Sequence, residues 1–406
     1  MITEIKLENF KGHQSTHLNL DNSRLHALVG KNSSGKTSVL QALSYMIRLT
    51  NESFKSIFKN ENSPSFIITS GAIGMSVDVH GTLQDISKQP WKISYHLDPK
   101  VSMWDTSVII DKSFIPRLSF DLGETYNDEQ SGWEISLKDR QSSNALLLGN
   151  SEYFKLESRN LAKAAYSDKI SPEVEFNGLG LAPTLDYLRS EEIEKFNKLQ
   201  KMLQQIVPNL KKIRIQRAKV QINHQRSVSI DGREIAYDEN QERIGQEIVL
   251  DMNTGDRIPA HAISEGTILA LGLLTILMNP NKPKLALLDE PDLHPHQPKL
   301  VLLDDIEQGL HPRAQRELIA IFKEIVQTHP NLQIIFTTHS PYIVDELDFS
   351  QVHVLDTNSS GFTTCKRLDE HPDVEWAKQT LTTGEFWNAE GEEWVNEEVP
   401  EEVVNV

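Results

Sequence analysis

The sequence predicts an α/β protein whose mixed, mostly parallel sheet carries an inserted α+β arm or lid. Three observations lead to this fold class. Predicted strands alternate with predicted helices near both ends of the 406-residue chain, which is typical of a parallel sheet. A glycine-rich loop joins one of these strands to a helix at 30–37. Two apolar runs, at 285–290 and 300–305, each end in a pair of acidic residues.

The composition argues against several classes of protein. The chain has 41 basic and 58 acidic residues, and its net charge of −17 argues against a general nucleic-acid coat protein. Its one cysteine excludes an internal disulfide and a cysteine-based zinc site. The N-terminus lacks the apolar core of a signal peptide, and the longest apolar run, 268–278, is too short to span a bilayer. We therefore expect a cytoplasmic protein with no membrane association.

Residues 1–84 are predicted to form an N-terminal lobe. The stretch 2–10 alternates apolar and polar residues, as a half-buried strand does, and 15–20 is its expected hairpin partner. A short apolar strand at 25–30 leads through the glycine loop into a helix at 36–49, where apolar residues recur at helical spacing.

The weaker periodicity of residues 85–240 favours an insertion, the arm or lid. An amphipathic helix with mixed charges is expected at 187–207, and strands are expected at 211–222 and 226–237, the second with an Asp-Gly turn at 231–232. Basic residues on the first strand are candidates for contact with a nucleic-acid backbone, although a solvated strand face is the favoured interpretation in so acidic a chain. These residues are Lys211, Lys212, Arg214, Arg217 and Lys219.

Regular periodicity returns at 241–370, which is predicted to form a C-terminal lobe. Its expected elements are a hairpin near Thr254, a helix at 264–279, the acidic runs, a helix at 313–329 and a strand at 332–340.

An acidic tail is predicted at 371–406. Its stretch 385–402 has eight glutamates and no Lys or Arg, which favours partial solvation. Trp387 and Trp394 are nevertheless candidates for anchoring the tail to the core.

The segment GKNSSGKT at 30–37 fits the phosphate-binding pattern G-x-x-x-x-G-K-[ST] and lies between the strand and the helix that this pattern requires. Backbone N–H groups of such a loop point at phosphates. Lys36 would reach the β- and γ-phosphates, Thr37 would ligate Mg²⁺, and Ser38 would reach the α-phosphate. The predicted nucleotide-binding residues of the loop are Gly30, Lys31, Asn32, Ser33, Ser34, Gly35, Lys36, Thr37 and Ser38.

Phosphoryl transfer also needs a carboxylate near Mg²⁺ and a second group that polarises the attacking water. Both acidic runs supply such a pair, and they look like a tandem duplication offset by fifteen residues. In the second run Asp304 would hold Mg²⁺ and its water shell, and Asp305 would be the general base. In the first run these roles would fall to Asp289 and Glu290.

Two observations oppose each other in the choice between the runs. Glu290 is the better chemical match, since a longer carboxylate reaches the attacking water more easily. Connectivity favours the second run, because Asp305 leads directly into the next helix, whereas the first run would leave fifteen extra residues beside the nucleotide. We favour Asp304 and Asp305 and keep Asp289 and Glu290 as the alternative. The unused run is expected to form an added edge strand or a packed loop.

Two further segments are candidates for the site. His339 ends a predicted strand, where an imidazole can contact the γ-phosphate or orient the water. Ser264, Glu265 and Gly266 open a helix whose N-terminus is an anion site, and Ser264 is placed to cap it. Because the phosphate loop already holds a phosphate in the same chain, this helix start would serve a nucleotide brought by a second subunit. A structural histidine and an ordinary capped helix are the alternatives.

Taken in order, several stretches resemble the ABC-type ATPase heads of the SMC, RecF and OLD kind. They are IKLENFKGH, HALVGKNSSGKTSVLQAL, AISEGT, LVLLDDIEQGLHPRAQ and IIFTTHSP. More narrowly, the chain is similar to stand-alone bacterial AAA-type ATP-binding proteins of anti-phage and OLD-like systems. The matching parts are about 1–50 and 245–350, and the closing TGEFWNAEGEEWV also resembles the end of such proteins.

The resemblance implies a P-loop NTPase that binds ATP and Mg²⁺ between two heads. Each phosphate loop would face the signature of the other head, Ser264-Glu265-Gly266, so a homodimer or a higher homo-oligomer is expected. His339 would be the switch histidine, and Phe10 and Lys11 would lie near the nucleotide.

Three departures from the family pattern bear on activity. Asp305 stands where the family has a glutamate, which favours slow hydrolysis, and no Q-loop glutamine can be assigned at 51–110. The OLD nucleases carry a Toprim domain after the head, but only 67 residues (406 − 339) follow His339, too few for that domain. Any nuclease activity is therefore expected from a separate effector protein.

The leading hypothesis is an ATPase whose nucleotide-dependent dimerisation regulates a partner effector in anti-phage defence. One alternative is a DNA-engaging ATPase of repair or recombination, whose hydrolysis would be stimulated by DNA and weakened by salt. Another is an ATP sensor that barely hydrolyses its ligand, which the aspartate at 305 favours.

Overall fold

The chain is organised as two compact units. Unit 1 comprises Met1–Tyr153, Lys282–Ile306 and Phe322–Val406, and unit 2 comprises Phe154–Asn281 and Glu307–Ile321. The computed structural model describes residues 1–20, 23–49, 52, 54–58, 64–82, 90–98, 103–110, 148, 151–230, 233–278 and 299–396.

The strands of the described residues, in chain order, are β1 (Ile2–Phe10), β2 (His13–Asn19), β3 (Leu25–Gly30), β4 (Met75–Thr82), β5 (Pro90–Asp98), β6 (Met103–Ile110), β7 (Glu152–Phe154), β8 (Leu210–Ile230), β9 (Arg233–Met252), β10 (Gly255–Pro259), β11 (Lys299–Leu303), β12 (Leu332–Thr337), β13 (Val352–Thr357) and β14 (Thr363–Arg367).

The α-helices of the same residues are α1 (Lys36–Leu49), α2 (Phe54–Ile57), α3 (Ser158–Leu161), α4 (Leu181–Glu191), α5 (Ile193–Ile206), α6 (Glu265–Met278), α7 (Pro312–Thr328), α8 (Pro341–Val344), α9 (Val374–Thr380) and α10 (Thr383–Glu390). Short 3₁₀ helices lie at Pro64–Ile67, Ala260–Ala262, Phe349–Gln351, Leu368–Glu370 and Glu393–Asn396.

A six-stranded sheet in the order β14-β13-β3-β12-β11-β7 positions the site. Its four central strands run parallel, and β14 is antiparallel to β13. β3, β12 and the last four residues of β11 are buried throughout, as expected for parallel strands covered on both faces. The predicted fold class, a mixed and mostly parallel sheet, is therefore confirmed.

A second sheet of unit 1 is antiparallel, in the order β2-β1-β4-β5-β6. Helix α1 shares one apolar cluster with both sheets. Leu40 and Leu43 of the helix belong to it together with Ile5 of the antiparallel sheet and Leu302 and Ile335 of the parallel one. Burial of this cluster fixes the direction of α1, and therefore the position of the loop that precedes it.

Unit 2 contains a long hairpin and a buried helix. β8 and β9 pair antiparallel along their whole length, and β10 adds to β9. Helix α6 is buried on all faces from Gly266 to Met278, as expected for a helix that is apolar all round. Of the predicted basic strand residues, Arg214 pairs with Asp251 and Lys219 pairs with Glu242.

Two sequence-based expectations differ from this structure. The amphipathic segment 187–207 belongs to two helices, because Glu192, with φ −132° and ψ 55°, interrupts helical geometry between α4 and α5. The predicted arm begins at residue 85, but β5 pairs with β4 and β6 pairs with β5 in the antiparallel sheet of unit 1.

The other predicted boundaries also differ from the division into units. Helix α6, expected in a C-terminal lobe at 241–370, belongs to unit 2. In the predicted tail at 371–406, Trp387 and Trp394 are both only 7% exposed, as expected of anchoring residues, whereas Glu385, Glu390 and Glu393 are exposed.

None of the described helices combines the length and the apolar character needed to cross a membrane.

The side chain of Gln333 connects the two sheets of unit 1. It accepts a hydrogen bond from Ile2 N at 2.8 Å and donates one to Ile2 O at 2.9 Å, and it is only 3% exposed.

We predict that Gln333→Met lowers the free energy of unfolding by about 2–4 kcal/mol, because two buried backbone groups lose their partner. Urea unfolding measures this loss. Gln14→Met, at an exposed position of β2, should change stability by less than about 0.5 kcal/mol. Equal effects of the two substitutions would contradict the role of Gln333.

Candidate functional site

The phosphate loop connects β3 to α1 and depends on two glycines. Gly30 has φ 140° and Gly35 has φ 95°, conformations that side chains rarely adopt. A Cβ on Gly30 would lie 2.0 Å from the carbonyl oxygen of Leu355 on the neighbouring strand β13. The loop is therefore held against the sheet by close backbone packing that only glycine permits.

Two polar side chains of the loop are buried beneath it. Lys36 is 6% exposed, and its Nζ donates to the carbonyl oxygens of Gly30 at 2.9 Å and Lys31 at 2.8 Å. The Ser34 hydroxyl is buried and has no hydrogen-bond partner among the described residues. A buried hydroxyl without a partner and an ammonium group held by loop carbonyls fit a site that receives phosphate oxygens.

A cleft of about 240 Å³ opens over this loop. Its lining residues are Asn32, Ser33, Ser34, Gly35, Lys36, Thr37, Ser38, Asp305 and His339. His339, which follows β12, is exposed, and Asp305, which follows β11, is half-buried. The structure thus brings the predicted loop, the second acid of the favoured run and the predicted histidine together in one cleft.

Asp304 contacts the loop directly. The Thr37 hydroxyl donates to its carboxylate at 3.1 and 3.2 Å, and the Thr337 hydroxyl donates to Oδ1 at 2.7 Å. Thr337 also accepts a hydrogen bond from Asp305 N at 2.8 Å, so one hydroxyl links both acids. Asp305 adopts a left-handed conformation with φ 56°, which aspartate tolerates better than most residues.

Sequence reasoning missed Tyr153 on the edge strand β7. Its hydroxyl is hydrogen-bonded to Asp304, and burial, followed by the Asp304 carboxylate, raises the pKa of Tyr153 above its usual range. β7 is only three residues long, so its periodicity gives almost no signal. The apolar run Tyr153-Phe154 between polar neighbours is the one feature that could have indicated a short edge strand.

Lys11 lies away from the cleft, and the first acidic run falls outside the described residues. Lys11 Nζ is hydrogen-bonded to Gln41 of α1 and does not line the cleft. Burial lowers the pKa of Lys11. Asp289 and Glu290, and the expected edge strand or packed loop of the first acidic run, lie outside the described residues.

The Ser264-Glu265-Gly266 segment belongs to unit 2, at the start of α6. A Cβ on Gly266 would lie 2.2 Å from the carbonyl oxygen of Gly309, so a glycine is required at this backbone contact. Ser264 and Glu265 are exposed, and the Ser264 hydroxyl is 2.8 Å from the Thr267 hydroxyl. The helix start therefore presents polar groups to solvent.

His13 contacts the phosphate loop through the backbone of Gly35. It is fully buried, its Nε2 lies 3.2 Å from Gly35 O, and its Nδ1 lies 3.0 Å from the Thr16 hydroxyl. Burial lowers the pKa of His13 to about 4, against the opposing effect of the Gly35 hydrogen bond. The folded protein therefore holds His13 neutral over a range in which an unfolded chain would protonate it.

This shift predicts a loss of stability in acid. The neutral form stabilises the fold fully above the unfolded pKa of about 6.5, and this contribution is lost as the pH falls towards 4. Between pH 7 and pH 5 the loss is on the order of 2 kcal/mol. His13→Gln should remove that part of the pH dependence in urea unfolding, whereas His96→Gln, at an exposed position of β5, should retain it. Identical pH profiles for His13→Gln and the unmodified protein would contradict the assignment.

These features define the class of the protein: a P-loop ATPase domain. Residues 25–345, most of the chain, match the family described as "AAA domain, putative AbiEii toxin, Type IV TA system". The chain belongs to this family of ATPases.

One solved structure shows the same fold with a TM-score above 0.5, and two others are similar at lower scores. The Smc head domain of Pyrococcus furiosus, with an extended coiled coil and bound to the C-terminal domain of ScpA, has a TM-score of 0.51 at 13% identity, covering 93% of this chain and 99% of that one. The SMC head domain of Thermotoga maritima has a TM-score of 0.44 at 11% identity, covering 90% and 98%. The recombination mediator protein RecF has a TM-score of 0.38 at 14% identity, also covering 90% and 98%. No curated protein matches the chain.

Proposed function

We propose that the protein binds ATP with Mg²⁺ and hydrolyses it, and that nucleotide-dependent dimerisation of two heads regulates a partner effector in anti-phage defence. The hydrogen bond from Thr37 to Asp304 carries this proposal, because it joins the phosphate loop to an acid at the end of a neighbouring parallel strand. A hydroxyl and a carboxylate are hard oxygen ligands that suit Mg²⁺. When bound there, Mg²⁺ neutralises negative charge that develops on the phosphate oxygens.

The loop residues bind the phosphates of ATP. Lys36 exchanges its bonds to the Gly30 and Lys31 carbonyl oxygens for bonds to the β- and γ-phosphates. The buried Ser34 hydroxyl gains the acceptor that it lacks, and the N–H groups at the start of α1 point at the same anions. Lys36 and Ser34 are already buried in the loop before the nucleotide arrives, so their side chains lose little conformational entropy on binding.

Asp305 and His339 act on the attacking water. Asp305, half-buried at the edge of the cleft, accepts the proton of the water as general base, and His339 orients the water or contacts the γ-phosphate. An aspartate reaches one methylene less far than a glutamate. We therefore expect slow hydrolysis.

We predict that Asp304→Ala reduces ATP hydrolysis to background, because Mg²⁺ loses its carboxylate. Asp305→Asn should lower the hydrolysis rate by about 10²-fold or more while ATP binding is retained, since only the base is lost. Asp289→Ala should retain activity. Steady-state phosphate release and ATP binding measured on the three variants test these expectations. An inactive Asp289→Ala protein beside an active Asp304→Ala protein would assign the site to the first acidic run.

The exposed start of α6 supports a homodimer with the nucleotide between two heads. Its Ser264 and Glu265 are accessible at a helix N-terminus, where a phosphate of a second subunit can be bound. The tight contact between Gly266 and Gly309 holds this start in one conformation.

We predict that ATP shifts Asp305→Asn protein from monomer to dimer in sedimentation velocity. Adding Ser264→Arg should abolish this shift and leave ATP binding intact, because a long side chain blocks the approach of the second nucleotide. Ser190→Arg, at an exposed position of α4 in the same unit, is the matched control and should dimerise normally. Dimerisation that survives Ser264→Arg would refute the sandwich.

A partner effector is supported by what similar proteins bind. The Smc head of Pyrococcus furiosus is bound to a domain of ScpA, and the family description names a toxin of a toxin–antitoxin system. The effector would be a separate protein such as a nuclease, encountered in the cytoplasm.

One observation favours a second candidate, an ATP sensor with little hydrolysis: the short carboxylate of Asp305. A DNA-engaging ATPase has weaker support, because Arg214 and Lys219 of the basic strand are already paired with acids. Hydrolysis measured with and without DNA separates the three. Slow turnover without DNA stimulation supports the regulator, no turnover supports the sensor, and salt-sensitive stimulation supports DNA engagement.

A further inference from the structure

Three hydroxyl groups converge on the carboxylate of Asp304. Thr37 donates from α1, Thr337 donates from the end of β12, and the third hydroxyl is that of Tyr153 on β7. Asp304 is only 6% exposed, so these donors replace water around a buried charge. The three hydroxyls belong to three different elements of unit 1, and each is hydrogen-bonded to the Asp304 carboxylate.

The three donors are not equivalent when a metal binds. The Thr37 hydroxyl would be a ligand of Mg²⁺, and its direct hydrogen bond to Asp304 would then be lost. Thr337 and Tyr153 would remain to orient the carboxylate. Thr337 also accepts a hydrogen bond from Asp305 N and so links both acids, whereas Tyr153 reaches Asp304 from the edge strand β7.

The surroundings of Tyr153 hold its hydroxyl in place. β7 is the edge neighbour of β11 in the parallel sheet, and Leu300 N donates to Ser151 Oγ at 3.3 Å, two residues before Tyr153. The side chain packs against the apolar cluster of unit 1. A phenol fixed by packing loses little rotamer freedom when it donates a hydrogen bond.

We propose that Tyr153 is a positioning residue for the Mg²⁺ of this site, which orients the Asp304 carboxylate through its hydroxyl. The inference rests on the proposed ATPase function and assigns it a residue that no sequence motif indicates. Groups that hydrogen-bond a metal-ligating carboxylate typically change metal affinity or activity by about 10–100-fold when they are removed.

Tyr153→Phe tests the inference, since it removes the hydroxyl and keeps the ring. ATP affinity is measured by calorimetry in EDTA and at a series of Mg²⁺ concentrations, beside the melting temperature and the Mg²⁺ dependence of hydrolysis. We expect the gain in ATP affinity on adding Mg²⁺ to fall about 10-fold and the half-saturating Mg²⁺ concentration to rise. ATP affinity in EDTA should be unchanged, and the melting temperature should fall only slightly, because Thr37 and Thr337 still donate to Asp304.

Tyr95→Phe is the matched control. Tyr95 is also buried in unit 1, but its hydroxyl donates to the backbone oxygen of Ala42 at 2.9 Å and not to an acid. This variant should retain the full Mg²⁺ effect, even if it melts at a lower temperature.

The outcomes separate this inference from the function on which it rests. A full Mg²⁺ effect in Tyr153→Phe overturns the inference and leaves the ATPase proposal intact. An unmodified protein that binds ATP more tightly with Mg²⁺ but does not hydrolyse it ends the hydrolysis proposal, while a reduced Mg²⁺ effect in Tyr153→Phe still supports the inference. ATP affinity that is independent of Mg²⁺ in the unmodified protein overturns the inference, and so does a Tyr153→Phe protein that fails to fold.

Discussion

The hydrogen bond between Thr37 and Asp304 joins the first turn of α1 to the end of β11, and the rest of the site depends on it. Parallel pairing aligns Leu303 of β11 with Phe336 of β12, and Phe336 with Ala27 of β3. The carboxyl ends of three strands therefore meet at one edge of the sheet, where ligands of α/β proteins bind. The phosphate loop, the acids and His339 are the residues that follow these ends.

A buried carboxylate requires hydrogen-bond donors around it. Left without donors, the nearly inaccessible Asp304 would cost several kcal/mol. Hydroxyls of Thr37, Thr337 and Tyr153 offset that cost and also define a geometry. The Thr337 hydroxyl also accepts a hydrogen bond from Asp305 N and so holds the backbone of Asp305. The left-handed conformation of Asp305 determines the direction of its side chain. Stability and the arrangement of the site therefore have the same physical origin.

Local sequence predicts the parts of this site that local chemistry determines. The loop from Gly30 to Ser38 and helix α1 follow from a contiguous motif with its own strand and helix. The fold class follows from alternating periodicity. The partner of Thr37 is less clear from local sequence, because two acidic runs have the same local pattern. Connectivity favours Asp304, and the pairing of β11 with β12 brings its carboxylate to Thr37. Tyr153 is not indicated, because its strand β7 has only three residues and therefore almost no periodicity. Lys11 Nζ is hydrogen-bonded to the Gln41 side chain of α1, and Lys11 does not line the cleft. The apolar spacing of 187–207 likewise continues through Glu192, where the backbone leaves helical geometry.

The most direct test of the account is the position of the metal. A crystal structure of the protein with a non-hydrolysable ATP analogue and Mn²⁺ in place of Mg²⁺ would locate it by anomalous scattering. One peak is expected beside the Thr37 hydroxyl and the Asp304 carboxylate, with Asp305 facing the terminal phosphate. A peak beside Asp289 and Glu290, with Asp304 remote from it, would contradict the central claim.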